Sequence, residues 1–427
     1  MHKAFFILIA AVIATSCETE TSKSKKIITA DIANFWEAYD NITSTQDSVL
    51  QYKYLDSLYF KRGTAGLEGI RQARNYTPQD YIDAINNYPK FWNSIRENTL
   101  EADNVGAELE SGIENLKALY PQLKPAKIYF TIGAFRTGGT IIDSLVLIGA
   151  EISMADNTTV TSEFPENLSH LETHFKTNPN QHLVFLNVHE YVHTQQNPRV
   201  FNILSLAIYE GVAEFVTAKA LDVSSPSPQI AFGKKNADRI RAVFETEMFY
   251  NNNLYKWLDG NAPNEFGMRE NYYNQAENKE EAIRTMIELD YTNEDEVEDF
   301  IQKANYFSTS LDTLYQNFEN KRPTVLGIQQ FDNKSQDVNP AINEITITFS
   351  EPLNGHNTGV DLGSLGRDAF PKGTLHGRHW GEDNTSWTLP VALEPNKEYQ
   401  IFISNNFRTE EDIPLRPYLI EFKTAGE

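Results

Sequence analysis

The sequence predicts an α+β protein, in which a mostly helical domain with a small sheet is followed by an all-β sandwich. Between residues 29 and 123, apolar residues recur at the spacing of one helix face. Residues 127–131 and 145–152 are short apolar runs that favour strands, and a glycine-rich turn separates them. From residue 323 onward, short alternating runs are separated by turn residues, which indicates a distinct β-rich domain.

The first seventeen residues have the features of an export signal. Lys3 gives a short basic start, residues 4–14 are apolar, and the segment ends at Cys17, the single cysteine of the chain. A cysteine that follows small residues in this position resembles a bacterial lipobox, in which the cysteine carries the lipid. An ordinary secretory signal or an uncleaved anchor are the alternatives. Residues 18–28 then predict a flexible tether.

Composition narrows the class of protein further. The 427 residues include 59 acidic and 37 basic ones, so the formal net charge is −22. This charge argues against nucleic acid and against anionic lipid surfaces as partners. A single cysteine excludes an intramolecular disulfide. The sequence therefore predicts an exported, lipid-anchored protein of the bacterial cell envelope, at the outer membrane or cell surface, with enough chain for two domains.

Residues 189–193 read H-E-Y-V-H and are the most informative stretch of the sequence. On a helix, His189 and His193 lie one turn apart on the same face, so both imidazoles can reach one metal ion. Zinc accepts imidazole nitrogen, and a catalytic zinc keeps one coordination position open for water. Glu190 would lie beside that water, where a carboxylate can act as a general base.

A second motif, residues 209–214, begins sixteen residues after His193 and contains two acidic residues. Residues 205–221 predict another helix, on which Glu210 and Glu214 share one face. One carboxylate can bind the metal while the other accepts the free N–H of a ligating histidine. The alternative is a solvated pair of acids at the edge of a buried helix.

The two predicted helices resemble those of the gluzincins, the thermolysin-like superfamily of zinc metallopeptidases. More narrowly, residues 210–214 (E-G-V-A-E) resemble the E-G-x-A-E form of predicted bacterial zinc-dependent proteases. The resemblance implies one zinc ion per chain, a gluzincin-like domain over residues 29–322 and hydrolysis of a peptide or protein substrate. It also implies the site residues, which are His189, His193 and Glu210 as ligands, Glu190 as the base and Glu214 as a supporting acid.

Other parts of the expected cleft are less well defined by the sequence. The oxyanion of the reaction needs an electrophile, for which Tyr272 and Tyr273 are the main candidates, with Tyr250 and Tyr255 as alternatives. The run that ends at Gly149 and Glu151 is the candidate sheet edge for pairing with an extended substrate.

Residues 323–427 complete the chain. Within them, residues 344–353 and 393–399 resemble segments of bacterial Ig-like domains of surface proteins. A β-sandwich that serves as a spacer, or as a docking module for an envelope or surface partner, is therefore expected here. A second function also fits this sequence: a non-catalytic envelope lipoprotein that keeps the metallopeptidase fold as a scaffold or as an adhesive, glycan-binding module.

Overall fold

The structure is a computed structural model that describes residues 26–200, 202–250, 257, 267–373 and 376–426. Cys17 and the predicted tether up to residue 25 lie outside the described residues. The chain divides into two compact units, one formed by Met1–Asn115 with Gln122–Thr194 and the other by Leu116–Pro121 with Gln195–Glu427.

Helices occupy most of the first unit before its sheet, which confirms the helical prediction for this region. Helix α1 places aromatic residues at helical spacing on one buried face, and the Phe35 ring centroid lies 5.0 Å from that of Trp92. Thr77 and Asp80 form a reciprocal capping box that fixes the start of α4. The helices are α1 (Ala30–Thr43), α2 (Ser48–Tyr54), α3 (Ala65–Ala73), α4 (Pro78–Asn87), α5 (Pro89–Leu100) and α6 (Gly106–Leu119).

One mixed sheet lies in the first unit. Its strands are β1 (Ile27–Ile28), β2 (Lys127–Thr131), β3 (Gly139–Ile142) and β4 (Leu145–Gly149), in the order β1-β2-β4-β3. Strands β1, β2 and β4 are parallel, whereas β3 is antiparallel to β4. The predicted strand over residues 145–152 ends early, because a helical turn, α7 (Ala150–Ser153), begins directly after Gly149.

The position of β4 corrects one prediction about the site. Strand β4 is hydrogen-bonded on one side to β2 and on the other to β3, so it has no open edge for an added strand. Glu151 follows it inside the helical turn and is fully buried. Gly149 and Glu151 therefore do not form the expected edge for an extended substrate.

Two helices close the first unit, and further helices occupy the second unit up to residue 321. Among the described residues, no helix is long and apolar enough to cross a membrane. The remaining helices are α8 (Ser169–Phe175), α9 (Leu183–His193), α10 (Ile203–Leu221), α11 (Pro228–Lys235), α12 (Ala237–Glu247), α13 (Gly267–Gln275), α14 (Lys279–Glu288), α15 (Glu294–Ala304) and α16 (Leu311–Lys321).

The end of the second unit is rich in β-strands, as the alternating sequence predicts. Two antiparallel sheets, with strand orders β5-β6-β9-β8 and β11-β10-β7, share one core that contains Trp387, Ile347 and Phe422. The α+β class is thus confirmed. The strands are β5 (Val325–Ile328), β6 (Glu344–Phe349), β7 (Val360–Asp361), β8 (His379–Trp380), β9 (Ser386–Pro390), β10 (Glu398–Ile403) and β11 (Tyr418–Lys423).

Arg322 links the last helix to the β-rich part within the second unit. Its guanidinium donates to the carbonyl oxygens of Pro414 at 3.1 Å and Leu415 at 2.6 Å, and it forms an ion pair with Glu319 at 2.7 Å. Arg416 also contacts Glu319, through a 3.2 Å ion pair. The junction near the predicted boundary at residue 323 therefore includes a polar contact made by Arg322 and Arg416.

Candidate metal centre

Helix α9 carries the first half of the predicted site. It begins at Leu183, directly after a 3₁₀ turn over Pro179–His182, and ends at His193. The side chains of Leu183, Val188 and Val192 are buried, so packing holds the helix in place. His193 is also buried and His189 half-buried, one turn earlier on the same face.

The two histidines converge as the sequence predicts. Their Nε2 atoms lie 3.1 Å apart, and the ring centroids are 4.7 Å apart with the rings nearly perpendicular. Zinc binds imidazole nitrogens at about 2.0–2.1 Å, so a tetrahedral ion would hold two such nitrogens about 3.3 Å apart. The geometry of the pair therefore fits the chelation of one ion.

Glu190 lies against Gly139, the first residue of β3. A Cβ added to Gly139 would be 2.8 Å from Oε1 of Glu190 and 3.0 Å from its Cγ. Those distances are too short for a normal van der Waals contact, so the absence of a side chain at Gly139 makes room for the carboxylate. The sequence shows the glycine pair, but only the fold shows that Glu190 is its neighbour.

Helix α10 carries the acidic pattern, in the second unit. Asn202 caps the helix by accepting the N–H of Ser205 at 2.8 Å. Glu210 is half-buried and Glu214 is buried, and the two lie one turn apart as predicted. The Ser225 hydroxyl donates to Glu214. The roles of Glu210 as third ligand and Glu214 as supporting acid stay predictions.

Arg269 is a buried residue of this region that the sequence did not reveal. It is 1% exposed, and its Nη1 donates to the Ala207 carbonyl of α10 at 3.2 Å. A Cβ added to Gly211 would overlap the Arg269 guanidinium. The absence of a side chain at Gly211 therefore lets the buried guanidinium of Arg269 approach the backbone of α10. Nothing in the spacing of the motif indicates this contact, because α13 supplies the arginine from a distant part of the chain.

Glu151 has a structural role in the first unit. Its carboxylate accepts the backbone N–H of Gly133 at 2.9 Å and of Phe135 at 3.3 Å. Burial raises its pKa to about 7, although these two hydrogen bonds act in the opposite direction. Tyr76 supports the same loop by accepting the N–H of Arg136 at 2.8 Å. Glu151 thus holds the loop between β2 and β3.

The tyrosines proposed as electrophiles pack against other aromatic rings. Tyr272 is buried with its ring centroid 4.7 Å from that of Phe300, and Tyr273 lies 5.4 Å from Phe215. Tyr250 packs on Phe318 at 5.4 Å, and burial raises its pKa to about 12. Tyr255 lies outside the described residues. Tyr272 and Tyr250 are thus buried among aromatic rings, whereas the ring of the half-buried Tyr273 also lies 5.0 Å from the Nζ atoms of Lys219 and Lys279.

An export segment that ends in a lone cysteine, ahead of an α+β body, is typical of lipid-anchored envelope proteins. The family model described as "Gliding motility protein GldB" matches residues 16–256, more than half of the chain. The chain belongs to this lipoprotein family and is a lipid-anchored protein of the bacterial cell envelope.

The family match overturns the metallopeptidase prediction. The matching family is one of gliding motility lipoproteins, and no protease family matches. The gluzincin assignment and the hydrolase activity are therefore wrong. The match gives no support to a peptide substrate, and the role of Glu190 as catalytic base depended on the rejected activity. The physical reason is that the motif fixes side chains on helix faces, and such an arrangement suits metal binding in proteins with or without catalysis.

Two solved structures of surface layer protein SbsC, one of domains 1–6 and one of rSbsC(31-844), are also similar to this chain. Each is 12% identical and aligns with 93% of this chain, which spans only 45% of the SbsC chain. The TM-scores of 0.17 and 0.16 are too low to support a shared fold. The comparison with curated proteins gives no match.

Proposed function

We propose that this chain is a non-catalytic scaffold of the gliding motility apparatus, held at the membrane by a lipid on Cys17. The observation that carries the proposal is the family match over residues 16–256, which begins just before Cys17 and includes both motif helices. A scaffold binds partners through its surface and needs no reacting group.

Zinc binding is a separate part of this proposal. His189 and His193 would bind one zinc ion, with Glu210 as the third ligand and Glu214 as the acid that orients a ligating histidine. The 3.1 Å separation of the two Nε2 atoms supports the histidine half of this set. When bound, zinc supplies free energy that stabilises the folded state, because the unfolded chain lacks a preformed site.

The β-rich part would serve as a docking module. Residues 323–427 would form an Ig-like sandwich, separate from the helical domain of residues 29–322, and bind another envelope protein. Support comes from the two antiparallel sheets around one core. The outer strand of an open sheet can offer backbone groups to a partner strand.

Complementation of a deletion strain tests the scaffold function. A gliding bacterium that lacks this gene would receive the wild-type chain, Glu190→Gln or Cys17→Ser, with protein levels measured by immunoblot. Glu190→Gln keeps the size and polarity of the side chain, so a scaffold with this substitution should restore the wild-type gliding speed. Cys17→Ser removes the lipid attachment and should not restore gliding.

Two outcomes would overturn the scaffold function. Glu190→Gln could abolish gliding while the protein accumulates at the wild-type level and melts at the wild-type temperature, which would show that the carboxylate acts chemically. Alternatively, the deletion strain could glide at normal speed without any copy of the gene.

A further inference from the structure

The folded body begins a short distance from the predicted anchor. Lys26 is the first described residue, and Cys17 precedes it by nine positions. Because an extended chain spans at most about 3.3–3.6 Å per residue, this segment reaches no more than about 30 Å. The start of β1 is therefore the part of the body whose distance from the membrane is most tightly limited.

Exposed lysines lie at this end of the sheet. Strand β1 is parallel to β2 with Ile27 opposite Ile128, so Lys26 is the neighbour of Lys127. Adjacent strands are about 4.8 Å apart, which places the two lysines side by side. Lys124 lies three residues before Lys127. We call Lys26, Lys124 and Lys127, all of which are exposed, the lysine end.

The fold holds the lysine end in place. The backbone N–H of Ile128 donates to the Lys26 carbonyl at 2.9 Å, and that of Lys127 donates to Ser144 at 3.1 Å. The Tyr191 hydroxyl donates to the Lys124 carbonyl at 3.3 Å and accepts the N–H of Ala126 at 2.7 Å. The three lysines are thus carried by backbone that is hydrogen-bonded to the sheet and to α9.

The net charge of the whole chain differs from the local charge at the lysine end. A net charge of −22 predicts repulsion from an anionic surface, but salt screens charges beyond about 8 Å at physiological ionic strength. Only groups close to the surface contribute. Among the described residues, the acidic groups near the lysine end include Asp143 in the β3–β4 turn, and Asp103 accepts the Thr29 hydroxyl three residues after Lys26. The tether adds Lys23 and Lys25 as well as Glu18 and Glu20.

We propose that the lysine end is a docking surface for the anionic phospholipid headgroups of the membrane that holds the anchor. The lipid on Cys17 would keep the chain at the membrane, and the lysines would turn the start of the sheet toward it. Ammonium groups near an anionic membrane are attracted with a strength that adds up over the cluster. The surface depends on the position of the anchor and is independent of the scaffold function.

Vesicle binding by the mature chain without its lipid, residues 18–427, tests this surface. The chain keeps every described residue. Its partition coefficient would be measured on vesicles of phosphatidylglycerol mixed with phosphatidylcholine and on vesicles of phosphatidylcholine alone. We expect binding to the anionic vesicles only, and weaker binding as salt is added. The triple variant Lys26→Gln, Lys124→Gln, Lys127→Gln should bind about a hundredfold more weakly, because each lysine near the surface contributes about fivefold.

A matched control variant distinguishes the effect of the lysine end from the effect of net charge. Lys61, Lys90 and Lys176 are exposed on or beside helices of the first unit, and changing all three to Gln alters the net charge by the same amount. This control should bind within about twofold of the wild-type chain, since it leaves the lysine end intact and salt screens other charges. Lys→Arg at the three lysine-end positions keeps the charge and should also retain binding, which guards against loss through misfolding. Equal losses in both Gln variants, or undiminished binding without the lysine end, would overturn the proposal.

Discussion

Gly211 and Gly139 each stand where a charged side chain passes close to the backbone. At Gly211 the neighbour is the buried guanidinium of Arg269, and at Gly139 it is the carboxylate of Glu190. Neither contact could be predicted from the sequence, because each joins residues that are distant in the chain. A sequence motif therefore shows which residues lie near a site, but it does not show which side chains require a glycine beside them.

Gly211→Ala should destabilise the protein. The added methyl group would overlap the Arg269 guanidinium, which is 1% exposed and bonded to the Ala207 carbonyl. Overpacking of a buried site costs about 1–3 kcal/mol, which urea denaturation would measure as a lower free energy of unfolding. Gly106→Ala is the control, because a Cβ there meets nothing within 4 Å and should leave stability unchanged or slightly higher. Equal stability of Gly211→Ala and wild type would show that Arg269 moves aside at no cost.

Glu151 should make the stability depend on pH. Its folded pKa of about 7 lies above the ordinary value of 4.5, because burial favours the neutral acid. The folded state then binds more protons between these two values, so its contribution to stability is full below pH 4.5 and falls as the pH rises to 7. The expected loss is up to about 3 kcal/mol. Denaturation at several pH values should show this slope in the wild-type chain.

Variants assign that slope to one carboxyl group. Glu151→Gln cannot titrate, so its free energy of unfolding should change less between pH 5 and 8 than that of the wild type. Glu166→Gln, at an exposed position, should keep the wild-type slope. A slope that persists unchanged in Glu151→Gln would place its origin in other groups.

At the scale of single elements, α9 and α10 were predictable because each is a long apolar run interrupted by a polar pair one turn apart. Most residues of α10 between Ile203 and Thr217 are buried, so this helix is apolar on nearly all sides. The end of β4 was not predictable, since Ala150 and Ile152 continue the apolar run and Glu151 alone interrupts it, as an alternating strand allows. What stops β4 at Gly149 is the helical turn that buries Glu151, a tertiary effect.

The histidine pair of α9 should make the protein bind zinc. Purified wild-type chain is expected to contain one zinc ion, and a strong chelator should lower its Tm. His193→Ala removes one ligand, so both the zinc and the chelator effect should be lost. Glu210→Gln should weaken zinc binding strongly and Glu214→Gln by about 10–100-fold, as for residues that only orient a ligand.

The order of zinc affinities is the critical result of that experiment. Zinc content by mass spectrometry and competition with a metal-binding dye would give an affinity for each variant. Glu172→Gln, at an exposed position on α8, is the control and should bind zinc like wild type. Unchanged affinity in Glu210→Gln would remove this residue from the ligand set. A wild-type chain without zinc that also fails to bind the added ion would remove the site altogether.

At the scale of the whole molecule, the sequence predicted the arrangement of elements better than the activity. Helical spacing, the strands around Gly138 and Gly139 and the change of pattern at residue 323 all correspond to observed structure. The enzyme class could not be predicted in the same way, because residues 189–193 and 210–214 specify only helix faces and metal-binding side chains. Activity also requires a substrate-binding cleft, whose parts come from several separate elements.

The fragment of residues 323–427 should fold alone as an all-β protein that contains no zinc. Its core includes Trp387, Ile347 and Phe422, all from within the fragment. Starting the fragment at Arg322 should raise its free energy of unfolding by about 1–3 kcal/mol, because the guanidinium satisfies the carbonyl groups of Pro414 and Leu415. Circular dichroism and urea denaturation of both fragments would measure this. Absence of a cooperative transition in either fragment would contradict the boundary.

The parallel pairing of β1 with β2 determines how a mechanical load enters the protein. A pull on the lipid that acts along β1 would reach the fold at Lys26, whose carbonyl accepts the N–H of Ile128, while the hydrogen bonds to β2 run across the strand axis. The load therefore shears these bonds together instead of opening them one after another. Behind β1, the first helix begins at Ala30 and packs its aromatic face into the core. Tension on the anchor would thus pass from a short strand to an aromatic part of the core of the first unit.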